Sequence, residues 1–252
     1  MERVVAILQA RMNSTRLPGK TLMEFGGKAL IEHVYSGVLK SKLVDEIVIA
    51  IPDSDENLGL RNFLSEVGIN YYAGSDSDVL QRYVDAAQEY DADFIVRVPA
   101  DNPLPHGSEI DRVISFHLEH NRDGFSSNLS QVGDSKYPDG IGGEVFSNFA
   151  LNSVNSLVRS NEQREHIHLN FFNYVTQVQL TPEVFPVMSP FCPVEFARPD
   201  IVLDINTPED LEYFQVMFDY FVDKTPHITD IIPWHDTVGN LIRGDNLNSK
   251  EK

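Results

Sequence analysis

A single cysteine, Cys192, stands in a chain of 252 residues. An intrachain disulfide framework and a cysteine zinc site are both excluded, and such economy suits a reducing cytoplasm. Long apolar runs are missing too. The N-terminal run Val4 to Leu8 is stopped by Gln9 and Arg11, too short for a signal-peptide core or a spanning helix. No later stretch approaches the ~20 apolar residues that a membrane crossing needs. Positive charge is scarce: 20 Lys and Arg face 38 Asp and Glu, a net of −18 at pH 7. Such a surface repels nucleic acid and anionic membranes at long range. Neither class of partner is expected, although a local basic pocket for a small anion remains open. There is no internal repeat and no low-complexity tract.

What the chain does hold is an ordinary globular share of apolar residues, 42%, enough to offset the entropy of ordering. Three continuous apolar runs, Val4 to Leu8, Glu46 to Ile51 and Phe94 to Val98, have strand length and read as strands buried on both faces. Between them, Ala29 to Leu39, Asn57 to Val67 and Asp76 to Tyr90 carry apolar residues at helical spacing. Strand and helix in alternation predict an α/β fold with a βαβ sheet wrapped by helices. Later the rhythm loosens. Ile110 to Leu118 reads as a helix, Gly124 to Gly143 as loop with short strand pieces, and residues 147–175 as mixed helix. Thr181 to Pro199 holds five prolines and cannot be one long helix. Ile201 to Ile205 reads as a strand, followed by a capped helix from Asn206-Thr207-Pro208 to about Val222. The simplest division is one domain over 1–225, with an inserted lobe at about 130–190, and a C-terminal extension over 226–252 whose tail, Gly244 to Lys252, is polar and frayed.

The most informative segment follows the first strand: Gln9-Ala10-Arg11-Met12-Asn13-Ser14-Thr15-Arg16-Leu17-Pro18-Gly19-Lys20. Residues 1–20 hold Arg3, Arg11, Arg16 and Lys20 against Glu2, so 4 − 1 leaves +3 inside a −18 protein. Three of these cations share one loop at the carboxyl end of a predicted strand, where open α/β sheets bind ligands. Arg offers bidentate hydrogen bonds to phosphate, Lys a point charge, and Ser14 and Thr15 add hydroxyls. The plainer alternative is a solvated loop whose cations pair with nearby acids. Ser14 to Thr21 also approximates a P-loop with Ser in place of the first Gly. Pro18 stiffens that loop and Gly26-Gly27 interrupts any helix starting at Lys20, so the P-loop reading is rejected.

These residues resemble a family. The string AxxxSxRLPGK after an N-terminal strand, then GGKALIEH, is similar to the cytidylyltransferases that activate acidic sugars, the 3-deoxy-manno-octulosonate and sialic acid enzymes. The spore-coat polysaccharide SpsF-like branch, with ARMxSTRLPGK, is most alike. Gly74 to Tyr83, Tyr137-Pro138-Asp139-Gly140 with Glu144 to Ser147, Arg164-Glu165-His166 and Asp204 to Leu211 also resemble segments of that branch. The matches run from residue 6 to about 212. The resemblance implies a Rossmann-like, GT-A-like nucleotidyltransferase with a mixed sheet, CTP as donor and Mg²⁺ as cofactor. It also implies a place in polysaccharide or capsule biosynthesis and pairing into a homodimer.

The acids complete the expectation. Asp101 ends the third strand opposite the basic loop, as a Mg²⁺ site with one or two carboxylates requires, and it matches the family's metal-binding Asp. A turn cap is the competing reading of Asp101-Asn102-Pro103. The family's second acid aligns with Asn206, an amide here. Asp204 is therefore expected as the second ligand, with Asn206 as a neutral oxygen ligand or helix cap. Asp76 and Arg82 are candidates for base or ribose contact, although capping by Ser75 or Asp76, with Tyr83 in the core, explains that segment equally well. Gln9 is placed to read the base edge. Tyr137, Asp139, Glu144, Arg164 and His166 are candidates for the acceptor side. Gly142-Gly143 departs from the family pattern there, so the acceptor is expected to differ from the common ones. His166 and His168, two apart, share no helix face and make no zinc pair. His106, His117 and His120 read as surface or cap residues. Ser14 has no triad partner and is not a nucleophile.

The expected reaction is cytidylyl transfer from CTP to an anionic acceptor, an acidic sugar or phosphorylated small molecule, with release of pyrophosphate. Arg11, Arg16, Lys20 and Asp101 would carry it. A nucleotide-sugar-dependent glycosyltransferase and a non-catalytic nucleotide-binding protein are the alternatives.

Overall fold

The chain opens with β1 (Val4–Gln9) and, after a long loop, a hairpin of β2 (Glu24–Phe25) and β3 (Lys28–Ala29). There follow α1 (Leu30–Val38), β4 (Glu46–Pro52), α2 (Leu58–Glu66), β5 (Tyr71–Gly74), α3 (Val79–Glu89) and β6 (Phe94–Pro99). The second half adds α4 (Gly107–His120), β7 (Phe125–Ser127), β8 (Glu144–Ser147), α5 (Asn148–Leu157) and α6 (Asn161–Glu165). It closes with the hairpin β9 (Phe172–Asn173) and β10 (Val178–Gln179), β11 (Val187–Met188), α7 (Pro208–Tyr220) and α8 (Ile228–Trp234). This is a computed structural model that describes residues 2–181, 183–222 and 224–243. The tail from Gly244 to Lys252 lies outside the described residues, as does Pro182.

Seven strands form one sheet in the order β11-β7-β8-β6-β1-β4-β5. All neighbours run parallel except β8, which is antiparallel to both β7 and β6. The continuous apolar runs have a simple cause: both faces are covered, so both sets of alternating side chains are buried. Ala6, Leu8, Ile49, Ile51, Val96 and Val98 meet Leu30, Leu60, Ile110, Phe214 and Ile231 on one face. Val5, Ile7, Val48, Ala50 and Ile95 meet Leu80, Leu151 and Phe171 on the other. The fold is the mixed α/β sheet flanked by helices that the sequence suggests.

Expectations about one segment and one side chain are corrected. Ile201 to Ile205 is not a strand: Val202 makes one isolated bridge to Asp139, and the run's amides bond to loops instead, Leu203 to the Asp139 carbonyl and Ile205 to that of Asp101. This ties both acid-bearing loops to one segment. The segment leads into α7, whose N-cap is Thr207, not Asn206; the Thr207 side chain accepts from the Asp210 amide. Farther on, Ile228, Ile231 and Trp234 of α8 join the same core as α7. Close packing also positions the turn after Asp101. A Cβ on Gly37 of α1 would lie 2.4 Å from the Pro105 carbonyl oxygen, so only glycine permits that crossing.

The other correction is His117, which is fully buried rather than a surface residue. Its Nδ1 lies 2.9 Å from Ser126 Oγ. Burial, helped by Arg122, pulls its pKa down to about 4, so the folded protein holds the ring neutral where the unfolded chain begins to protonate near pH 6.5. Stability from this group is present above that pH and lost as pH falls toward 4. The stability difference between the wild type and His117→Gln should therefore narrow between pH 6.5 and 4, read by urea denaturation. A difference independent of pH would contradict the assignment.

Candidate active site

The loop after β1 is held by its own backbone. Gly19 takes a φ of +75°, which side chains disfavour, and its amide donates to the Met12 carbonyl at 2.8 Å. The Met12 amide donates to the buried Asn57 side chain at 3.0 Å, and Thr21 Oγ1 donates to the Arg11 carbonyl at 2.8 Å. Lys20–Leu22 is a single 3₁₀ turn, not the long helix a P-loop needs.

So braced, the loop sends its cations to one cavity of about 230 Å³, shared with Asp101 and Asn206. Lys20 Nζ donates to Asp101 Oδ2 at 3.0 Å, the Ile205 carbonyl at 2.7 Å and Asn206 Oδ1 at 3.2 Å. Arg16 Nη2 donates to Asn206 Oδ1 at 2.7 Å. Arg11 pairs with Glu165 across the cavity at 2.8 Å. The lining holds four cations, Arg11, Arg16, Lys20 and Arg97, and two acids, Asp101 and Glu165, so 4 − 2 leaves +2 in a protein of net −18. Gln9, Ala10, Ser14 and His166 line it too. The plainer reading holds in one respect, since Arg11 and Lys20 do pair with acids, but those acids belong to the cavity itself.

The carboxylates behind Lys20 repel one another. Asp204 has its pKa raised by burial first and then by Asp101 and Asp210. Asp139 is pushed up to about 7 by burial, Asp204 and Asp101. The Asn206 amide donates to Asp204 Oδ2. Oxygen donors bearing excess negative charge suit a hard divalent cation. No group of three or more His, Cys, Asp or Glu able to hold a metal occurs among the described residues.

Other candidates are spent elsewhere. Arg82 is buried, and its Nε and Nη2 donate to the Ser75 carbonyl at 2.9 and 2.7 Å; it shapes the turn before α3 rather than lining the cavity. Asp76 is exposed beside it, and the helix cap is Asp78, not Ser75 or Asp76. Tyr83 is core, donating to the Ile7 carbonyl. Tyr137 is fully buried with its hydroxyl on Glu109 at 2.9 Å. Glu144 is fully buried against Arg97. Arg164 bonds Asp78 at 2.6 Å, tying α6 to α3. For these three the expectation of facing an acceptor is corrected: the buried Tyr137 hydroxyl and Glu144 carboxylate must find internal partners, and the half-buried Arg164 is spent on Asp78. Asp139 is half-buried near Asp101 and Asp204.

Two charged cavity residues went unassigned from sequence, Glu165 and Arg97. Arg97 had left a signal, a charge in the middle of the apolar run Phe94 to Val98, where only a paired cation is tolerated.

A protein-family model described as Cytidylyltransferase matches residues 5–187. The spore coat polysaccharide biosynthesis protein SpsF of Bacillus subtilis is 29% identical over 223 residues, 86% of this chain and 87% of that protein. A solved cytidylyltransferase from Leptospira borgpetersenii is 28% identical, with a TM-score of 0.82, covering 96% of this chain and 97% of that one. At 17% identity, CMP:2-keto-3-deoxy-manno-octonic acid synthetase, solved in complex with CTP, has the same fold at a TM-score of 0.61, covering 88% of this chain and 100% of that one.

Proposed function

This chain belongs to the cytidylyltransferase family, and we propose that it moves CMP from CTP to a small anionic acceptor, an acidic sugar or a phosphorylated small molecule, and releases pyrophosphate. The observation that carries the reading is the +2 cavity at the carboxyl end of β1, where Lys20 meets Asp101 at 3.0 Å. The acceptor oxygen attacks the α-phosphorus in line, and the bond to the β-phosphate oxygen breaks. Arg11, Arg16 and Lys20 hold the β- and γ-phosphates and offset the charge on the leaving pyrophosphate. Glu165, the internal partner of Arg11, gives way to phosphate oxygens. Gln9, at the end of β1, offers its amide to the base edge. Asp101 and Asp204 would hold Mg²⁺, which supplies charge neutralisation at the phosphate oxygens. Positioning and electrostatics carry the rate, with no covalent intermediate on the protein.

The likeness to SpsF supports a place in surface polysaccharide or glycoconjugate biosynthesis. A lone, buried cysteine suits a cytoplasmic setting. A homodimer is proposed from family likeness alone. Pyrophosphate release, measured with CTP, ATP, GTP and UTP against sugar acids and phosphorylated small molecules, tests the reaction. Release with CTP and one acceptor class is expected. Sugar transfer from a preformed nucleotide sugar, without pyrophosphate, would overturn it.

A further inference from the structure

Arg97 differs from the other three cations of the cavity. They ride on the loop, whereas Arg97 comes from β6, in register with Ile7 on β1 and Glu144 on β8. It lies four residues before Asp101, on the strand itself rather than in the turn that carries Asp101. A triphosphate gripped by Arg16, Lys20 and a metal on Asp101 leaves this deeper cation to another group.

Its surroundings are built to hold it still. Arg97 is only 9% exposed. Nη1 donates to Glu144 Oε2 at 2.7 Å. The other Glu144 oxygen does not complete a two-pronged pair with the guanidinium; it accepts from the Tyr174 hydroxyl at 2.9 Å. That hydroxyl lies 2.6 Å from Ser127 Oγ. A guanidinium carries five N–H donors in a rigid fork. Glu144 takes one, and Nε has no hydrogen-bond partner. A buried cation with donors left over, on the wall of a cavity, is half of a complementary pair.

We propose that Arg97 is the receptor for the acceptor's anionic group, a carboxylate or a phosphate, and that Glu144 and Tyr174 fix its orientation; this rests on the transfer reaction above. The ligand is planar or tetrahedral oxyanion chemistry on the Arg97 wall of the cavity. Arg97 is then a specificity residue for the acceptor and not for CTP.

The test separates the two substrates. With the acceptor that supports pyrophosphate release, Arg97→Lys should raise the acceptor KM at least tenfold, because an ammonium cannot reproduce the fork. The Kd for CTP with Mg²⁺, titrated calorimetrically, should stay within twofold. Tyr174→Phe releases the second Glu144 oxygen to turn onto Arg97, and should raise the acceptor KM severalfold with CTP binding again unchanged. Should Arg97→Lys fail to fold, Tyr174→Phe carries the test. Running sugar acids and phosphorylated compounds as separate arms names the group recognised. An unchanged acceptor KM in the folded variants overturns the proposal, and so does a CTP affinity that falls in step. If the wild type transfers CMP only to uncharged acceptors, this inference fails while cytidylyl transfer stands. If the wild type releases pyrophosphate from no nucleotide, the transfer reaction fails first and this inference with it.

Discussion

Lys20→Met should lower the rate of pyrophosphate release by 10²–10³, about 2.7–4 kcal/mol of transition-state stabilisation, the usual consequence of deleting one preorganised donor. The argument starts from how Lys20 is held. Three oxygens from two separate stretches of chain accept from its Nζ: Asp101, and the neighbouring Ile205 and Asn206. The ammonium cannot wander, so its charge is in place before a phosphate arrives and costs little reorganisation when pyrophosphate leaves. Methionine keeps much of the stem and removes the charge. The freed Asp101 side chain is 30% exposed, so water can replace the lost donor and folding should survive. Initial-rate kinetics under saturating CTP, beside thermal unfolding of the same preparation, reads both. A variant that melts like the wild type and turns over at the same rate would remove Lys20 from the reaction.

Glu144→Ala should cost about 3–5 kcal/mol of stability, the range expected when one partner of a buried ion pair is deleted. Glu144 is fully buried and its partner nearly so. Burial pulls the Arg97 pKa down, but Glu144 outweighs it and leaves the guanidinium firmly charged. The variant would hold that charge in the core with no counter-ion, and would strip the Tyr174 hydroxyl of an acceptor as well. Against a typical total of about 5–15 kcal/mol, this is enough to endanger folding at 37 °C. The control is Asp53→Ala. Asp53 also makes a 2.6 Å pair, with Arg61, but is 63% exposed, so its loss should stay below about 1 kcal/mol. Urea denaturation of both variants makes the comparison. Equal losses would mean that burial is not what gives the Arg97–Glu144 pair its weight.

Much was legible from the chain alone because it is local. Val4 to Leu8, Glu46 to Ile51 and Phe94 to Val98 announce strands covered on both faces, and the helices α1, α2 and α3 follow from apolar spacing within about two turns. The basic loop stood out by its charge in an acidic protein, and Asp101 by its place at a strand end. The reverse held wherever a residue's role depends on a partner far along the chain. Glu144 looked like an acceptor ligand until β8 slid antiparallel against β6 and set it opposite Arg97, 47 residues away. Tyr137 met Glu109, 28 residues back, in the same manner. Ile201 to Ile205 had the composition of a strand, but its Leu203 and Ile205 amides are taken by the Asp139 and Asp101 loops. Hydrophobic periodicity and turn chemistry act over a few residues and are written in order along the chain. The pairing of a buried charge is settled by register and burial, which exist only once distant segments have packed.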